Sequence, residues 1–427
     1  MPLILPGNVG SAVAGAYEVA NSCRFNDGDN PKMFKAQSSG NQDKWTFSCW
    51  FKRGVLAEQY IFRAQIDSNN YFHIRLESDH QIYCSGVLSG SNNIIVEPSG
   101  VLRDVSAWYH IVLAVDTGQA VAANRVKWWI NGTQVTSFSR DTYPDQNADT
   151  AVNGSGYITI GNYLYNSDLI PFDGHMAEVC LIDNAQLDAD SFGEFDSDSP
   201  TIWKPIDVSG LTFGTNGFYL AATDSSTDSP TNNFCTLNPL AKGSTITLSE
   251  GNTDLTNTAT WNSVLGTIGM ASGKWYWEVN ASDVGNTVNF GVCMSQYDGM
   301  THAQVDVTRI MYSSTGTVYN ANGSDTDTGT TYTDDDIIGI ALNVDDGNIK
   351  FYKNNVLVHT ETDSDISSNE WVSAQGIYDS GGKMNFGNPS YANTSDAADA
   401  NGYGAFEFAP PSGYYALCTK NLAEFGG

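Results

Sequence analysis

The chain of 427 residues is predicted to be all-β, built as two β-sandwich domains, and three features point there. Apolar side chains recur at every second position in many short runs, the period of a half-buried strand. Turn formers are abundant, with 41 Gly and with 36 Asp against only 12 Glu; Asp favours turns and caps, whereas Glu favours helices. The length exceeds what one hydrophobic core serves, so more than one domain is expected.

Taken in order, residues 1–20 (Met-Pro-Leu-Ile-Leu-Pro onward) read as an apolar arm. The first domain, 21–195, opens with Trp45-Thr-Phe-Ser-Cys-Trp-Phe51, whose Trp45, Phe47, Cys49 and Phe51 share a side. Similar runs follow at Phe72-Ile74-Leu76, Tyr109-Ile111-Leu113-Val115, Val126-Trp128-Ile130, Ile158-Ile160 and Ala177-Val179-Leu181. Asn131-Gly132 supports positive φ at two successive positions, which makes 126–136 a tight hairpin. Leu187 to Phe195 is a two-turn helix candidate. From 196 to 244 the alternation fades into Asp, Ser, Thr, Asn and Pro, but Trp203, Phe213, Phe218, Tyr219 and Phe234 make this an ordered connector packed on a domain, not a free tether. In the second domain, 245–427, Trp275-Tyr-Trp-Glu-Val279 and Val288–Met294 are strands. Ile338-Ile340-Leu342-Val344 turns at Asp345-Asp346-Gly347-Asn348 and returns through Ile349 and Phe351. Trp371-Val372, Met384-Phe386 and Tyr414–Leu417 complete that domain.

Charge narrows the function classes. With 48 acidic and 20 basic residues the net charge is −28, so a lysine and arginine stripe for a phosphate backbone is not expected, and neither nucleic acid nor an anionic membrane suits as partner. No apolar run is long enough to span a bilayer, and the N-terminus lacks the basic and apolar regions of a secretory signal. The seven cysteines (Cys23, Cys49, Cys84, Cys180, Cys235, Cys293, Cys418) are odd in number and form no C-x-x-C pair; they read as free, mostly buried thiols.

The first half, with Trp45-Thr-Phe-Ser-Cys-Trp-Phe51, Trp108-Tyr-His-Ile-Val-Leu113, Val126-Lys-Trp-Trp-Ile-Asn-Gly-Thr-Gln134 and Phe172-Asp-Gly-His-Met-Ala-Glu-Val179, resembles laminin-G/concanavalin-A-like jelly rolls over about 15–195. The second, with Gly273-Lys-Trp-Tyr-Trp-Glu-Val279, Phe290-Gly-Val292, Ile338–Gly347, Ile349–Asn355 and Asn385-Phe-Gly387, resembles a SPRY domain over about 245–390. The opening 1–23, Asn216–Leu220, Ser229–Asn238 and Pro410–Leu422 are similar to segments of structural proteins of tailed, marine-type bacteriophages. That resemblance implies a virion protein: a tail-fibre, spike or head-decoration subunit.

Retaining glycosidases on such jelly rolls place two Glu on one strand as E-x-D-x-x-E; Glu194-Phe-Asp196 begins that pattern but no second Glu follows. Glu178 and Glu278 lie in strands, where an edge or interface ion pair is expected. The histidines (His73, His80, His110, His175, His302, His359) lack zinc spacing. No G-x-S-x-G occurs, and the glycine loops carry no Walker lysine. Calcium stays open as a structural ion, at Asp116, Asp168 and Asp173 near strand ends or in the patch Asp325-Thr-Asp327 with Asp334-Asp-Asp336. No catalytic, cofactor-binding or metal-ligating residue is therefore assigned. Trp50, Trp129 and Tyr276 fall on the less apolar side of their strands, where they either stack on sugar or are covered by a second layer or a neighbouring subunit. The SPRY resemblance adds binding loops at Tyr297–His302 and Tyr378–Gly382.

The expectation is a non-enzymatic virion surface protein, assembled in the host cytoplasm and homo-oligomeric. It would contact other virion proteins through its N-terminal arm and attach weakly and multivalently to host-surface glycan or protein. The alternatives are a polysaccharide depolymerase and a purely architectural capsid cement.

Overall fold

The computed structural model describes residues 4, 17–163, 170–222, 226–258, 260–295, 308–320 and 323–426. The chain divides into two compact units: Gly15–Ser225 with Ser229–Thr231, and Asn232–Gly427 with Ser226–Asp228 and Met1–Ala14.

The first unit is a sandwich of two antiparallel seven-stranded sheets. One runs in the order Cys23–Phe25, Gly174–Asp183, Lys44–Arg53, Tyr109–Asp116, Val126–Ile130, Thr133–Gln134, with Phe218–Leu220 also paired to Gly174–Asp183. The other runs Phe138–Thr142, Ser91–Pro98, Ile82–Leu88, Asn70–Leu76, Gln59–Asp67, Tyr157–Ile160, Met33–Ala36. Trp45, Phe47, Cys49 and Phe51 enter the core between them with Ile111, Leu113, Val115, Trp128, Phe72 and Ile74, as the alternation predicts. The Asn131-Gly132 turn has φ of 46° and 76°, the paired positive values that match the twist of the hairpin strands.

Two readings are corrected. Ala177 does not share a face with Val179 and Leu181: a bulge between Ala177 and Cys180, with Glu178 at φ 51°, turns Ala177 outward. An extra residue in a strand reverses the side-chain alternation on either side of it. The helix candidate Leu187–Phe195 holds only one 3-10 turn, Ala189–Ser191, followed by the strand Gly193–Phe195, which pairs with Trp203–Pro205. Two turns of α-helix make too few hydrogen bonds to offset nucleation, so sheet pairing prevails.

The second unit stacks a seven-stranded sheet on an eight-stranded one. Lys274–Asp283 lies within the latter, between Ser380–Asn385 and Ile337–Asn343, and sends Trp275, Trp277 and Val279 into the core. Ile4 joins this unit, bridging Ile268 in parallel and burying its side chain in the same core. A single α-helix among the described residues, Thr419–Phe425, buries Asn421 and Leu422; the sequence carried no periodic signal for so short a helix.

None of the seven cysteines, all of them among the described residues, forms a disulfide; six are buried and Cys23 is half-buried. Burial pushes the thiols of Cys84, Cys293 and Cys418 up to about 12, because a thiolate has no solvation there. A disulfide-exchange reagent at pH 8 is expected to modify no more than one thiol in the native protein and seven after unfolding in guanidinium. Rapid reaction of three or more native thiols would contradict this packing.

Candidate functional site

The aromatics that the sequence offers for sugar stacking are buried, because each sandwich lays its own chain over one outer sheet face. Trp50 and Trp129 are 3% and 9% exposed beneath residues 187–219, which contribute Ala189, Phe192, Trp203 and Val208. His110 stacks between Trp50 and Trp203, with ring centroids 4.7 and 6.0 Å apart. Trp203 Nε1 donates to His110 Nδ1 at 2.9 Å, so the imidazole proton resides on Nε2 and is donated to Ser48 Oγ at 2.8 Å. Burial pushes His110 down to about 3, which keeps the ring neutral. Tyr276 is 3% exposed under Phe406, Phe234 and Tyr414.

Neither strand glutamate forms the expected ion pair. Glu178 accepts from Tyr17 Oη at 3.0 Å and from Tyr219 Oη at 2.7 Å, and burial raises its pKa. Glu278, fully enclosed, accepts from Tyr276 Oη at 3.0 Å, Asn385 Nδ2 at 3.3 Å, and the backbone N–H groups of Glu407 and Phe408 at 2.8 Å each. Burial pushes its carboxyl up to about 7 in spite of these four donors. Both carboxylates fasten covering segments to a sheet. The sequence placed them in strands but could not indicate neutral partners 41 and 130 residues away.

Several of the aspartates considered for calcium have other partners. Asp116 pairs with Lys44 at 3.2 Å and accepts from Gln119; Asp173 is buried; Asp168 lies outside the described residues. In the acidic patch, Asp336 pairs with Lys353 at 3.0 Å, while Asp325, Asp327 and Asp334 accept backbone N–H groups at turns. Among the described residues no three His, Cys, Asp or Glu side chains converge as a metal site would require. Of the two SPRY loops, Tyr297–His302 lies outside the described residues, and in Tyr378–Gly382 the last three residues are buried while Tyr378 packs 5.8 Å from Trp261.

The other outer face of the first sandwich is different. Strands Gln59–Asp67 and Asn70–Leu76 direct Phe62, Ile74 and Leu76 inward, so Arg63, His73 and Arg75 stand on the far side. Register across the sheet aligns Phe34, Thr159, Arg63, His73 and Ser85 in one row and Tyr60, Arg75 and Tyr83 in the next. Arg140 opposes Glu97 at the sheet edge. Three of the eight arginines of this acidic chain thus share one sheet face.

Arg63 lies between the rings of Tyr71 and Tyr163, 4.2 and 4.0 Å from their centroids, close enough for strong cation–π attraction. Its Nε donates to Gln65 Oε1 at 3.1 Å, and Nη1 lies 3.5 Å from His73 Nδ1. Since guanidinium only donates, Nδ1 accepts and His73 Nε2 carries the proton toward Tyr83 Oη, 3.0 Å away. Burial together with Arg63 and Arg75 holds His73 well below its usual range, so it is neutral. Arg75 pairs with Glu77 at 2.6 Å, and Arg140 with Glu97.

In the sequence this cluster leaves only a faint signal. Its trace is Tyr71-Phe-His-Ile-Arg-Leu76, a run whose second face carries aromatic and basic groups where a solvated strand carries Ser or Thr.

The family comparisons agree with this architecture. Residues 26–190 match the model of the Concanavalin A-like lectin/glucanases superfamily, and residues 274–388 match that of the SPRY domain. No curated protein matches the chain at a significant level. Among solved structures, similarity extends to the SPRY domain of human HERC1 (20% identity, 35% of this chain and 96% of that one, TM-score 0.31). It extends also to the heptameric SAP-like pentraxin of Limulus polyphemus (14% identity, 40% and 80%, TM-score 0.29). The protein is thus an all-β chain that carries a laminin-G/concanavalin-A-like domain followed by a SPRY domain.

Proposed function

We propose that the protein is a non-enzymatic display subunit of a bacteriophage virion, a tail-fibre, spike or head-decoration protein, that attaches weakly and in many copies to host-surface glycan or protein. The observation that carries the binding role is the arginine and tyrosine face of the first sandwich, a sheet surface on which many shallow engagements add through avidity. Its own chain covers the opposite sheet, whereas on this one Tyr71 and Arg75 stay half-buried and Phe34 and Arg140 are exposed. The virion placement rests on the similarity of 1–23, 216–220, 229–238 and 410–422 to phage structural proteins. Other virion proteins and further copies of this chain are the assembly partners in this reading.

Purified protein is expected to adsorb saturably to host cells and to compete with intact particles. Adsorption that survives EDTA removes calcium from the account. Folded protein that fails to adsorb overturns attachment and favours an architectural cement.

A second reading, depolymerase, draws on one observation: the hydrogen-bonded His73–Tyr83 pair beside Arg63 and Arg75 is a set of groups able to move a proton. Release of new chain ends from host polysaccharide would select it.

A further inference from the structure

We propose that a cleft at the open edge of the first sandwich binds a free fatty acid, its alkyl chain between the two sheets and its carboxylate received by Lys35. The inference goes beyond attachment and stands apart from it, since the cleft opens between the sheets and not on the outer face that carries Arg63.

Two edge strands face each other there. Met33–Ala36 pairs with Tyr157–Ile160 and ends one sheet, while Phe218–Leu220 pairs with Gly174–Asp183 in the other. Register sets Met33 opposite Ile160 and Lys35 opposite Ile158, and it sets Phe218 opposite Leu181 and Leu220 opposite Val179. Ile158, Ile160, Val179 and Leu181 belong to the core, so Met33, Lys35, Phe218 and Leu220 stand on the inward side of their sheets. These edge side chains do not close on one another. A cleft of about 250 Å³ remains, with the buried Ile158 and Ile160 as its floor and the half-buried Met33, Lys35, Phe218 and Leu220 as its walls.

The lining sets the chemistry of the ligand. Every lining residue except Lys35 is apolar, and an unfilled apolar cavity forfeits dispersion contacts along its walls and takes up apolar guests. The volume lies below the ~300 Å³ at which drug-sized pockets begin, and the sheets of a sandwich stack about 10 Å apart. One slender alkyl chain suits such a slot, and a double-chain lipid does not. Lys35 gives the cleft its polarity. A lysine on the core side of an edge strand lays its apolar stem along the wall and brings its ammonium to the mouth. There Nζ lies 5.8 Å from the centroid of the Phe218 ring on the opposite sheet. Among the described residues no carboxylate holds that ammonium, so its charge faces what fills the cleft. An inward lysine also guards an edge strand against pairing with another chain, a role that variants at Lys35 separate from ligand binding.

The test is calorimetric titration of the full chain with hexanoate, octanoate, decanoate and dodecanoate below their micelle concentrations, alongside octanol and octyltrimethylammonium. Affinity is expected to rise about fourfold per added methylene until the cleft is full and to level off beyond that length. Octanoate should bind at least tenfold more tightly than octyltrimethylammonium. K35M, at a half-buried edge position, should remove the preference of carboxylate over alcohol while keeping the dependence on chain length. L220W, which fills the cleft from one wall, should remove binding of every chain, with circular dichroism checking that the fold is kept. Affinity independent of chain length, equal affinity for octanoate and octyltrimethylammonium, or binding that survives both variants overturns the proposal. Absence of binding at every length overturns it as well, and dimerisation of K35M would then make Lys35 an edge guard. Binding to phosphatidylglycerol vesicles without binding to the free acids overturns it in favour of a membrane lipid.

Discussion

Replacing Trp203 by alanine is expected to destabilise the first sandwich by about 4 kcal/mol, the range for truncating a buried tryptophan. The indole lies against Gly132 and Gly193, so close that a β-carbon at either glycine would come within 2.2 and 2.6 Å of its ring. Its loss opens a cavity that backbone on two sides cannot collapse to fill. It also removes the donor to His110 Nδ1, leaving a buried nitrogen unpaired. For a unit of about 200 residues the effect corresponds to roughly 8–16 °C in melting temperature. Urea unfolding measures it directly, and acrylamide quenching should show Trp50 and Trp129 newly accessible. A loss below about 1 kcal/mol would mean that residues 187–219 do not seal this face.

The second large effect is a pH dependence centred on Glu278. Burial raises its folded-state pKa to about 7 from an ordinary 4.5. Between those values the folded protein holds a proton that the unfolded chain has released, so stability must fall as pH rises through the window. The second sandwich is therefore most stable at or below pH 4.5 with respect to this group and loses about 3 kcal/mol by pH 7, the contribution levelling off above about pH 8. Glu278→Gln cannot titrate. It also sets an amide NH2 against the N–H of either Glu407 or Phe408, at a cost of about 1–3 kcal/mol. Urea unfolding of both proteins from pH 4.5 to 8 isolates the term: the wild-type minus E278Q difference should decline across the window, and a flat difference refutes it.

These two residues illustrate how a strand acquires a second covered face. Trp45 and Phe47 are recognisable as core from the sequence, because period-two alternation marks one side of a strand as apolar. Trp50 and Trp129 lie on the other side, and their neighbours in sequence are the same whether that side meets sugar, solvent or protein. The cover comes from residues 187–219 in one sandwich and from the segment around Phe406 and Tyr414 in the other. Their docking depends on Glu178 and Glu278 meeting tyrosines and backbone N–H groups remote in the chain.

The Arg63 face was hidden for a related reason. Its row draws Phe34, Thr159, Arg63, His73 and Ser85 from five strands. Residues 34 and 159 are 125 positions apart in sequence and become adjacent-strand partners only through register.

The sequence by itself determined the all-β class, the two sandwiches, the hairpins at Asn131-Gly132 and Asp345–Asn348 and the inward set of the strands without a bulge, since all of these rest on local backbone preference and on a two-residue period. Only the tertiary structure decided which outward side chains are sealed and which arginines meet a carboxylate. Burial and charge pairing are properties of neighbours in space, and in antiparallel sheets those neighbours are set by cross-strand register between segments far apart in the chain.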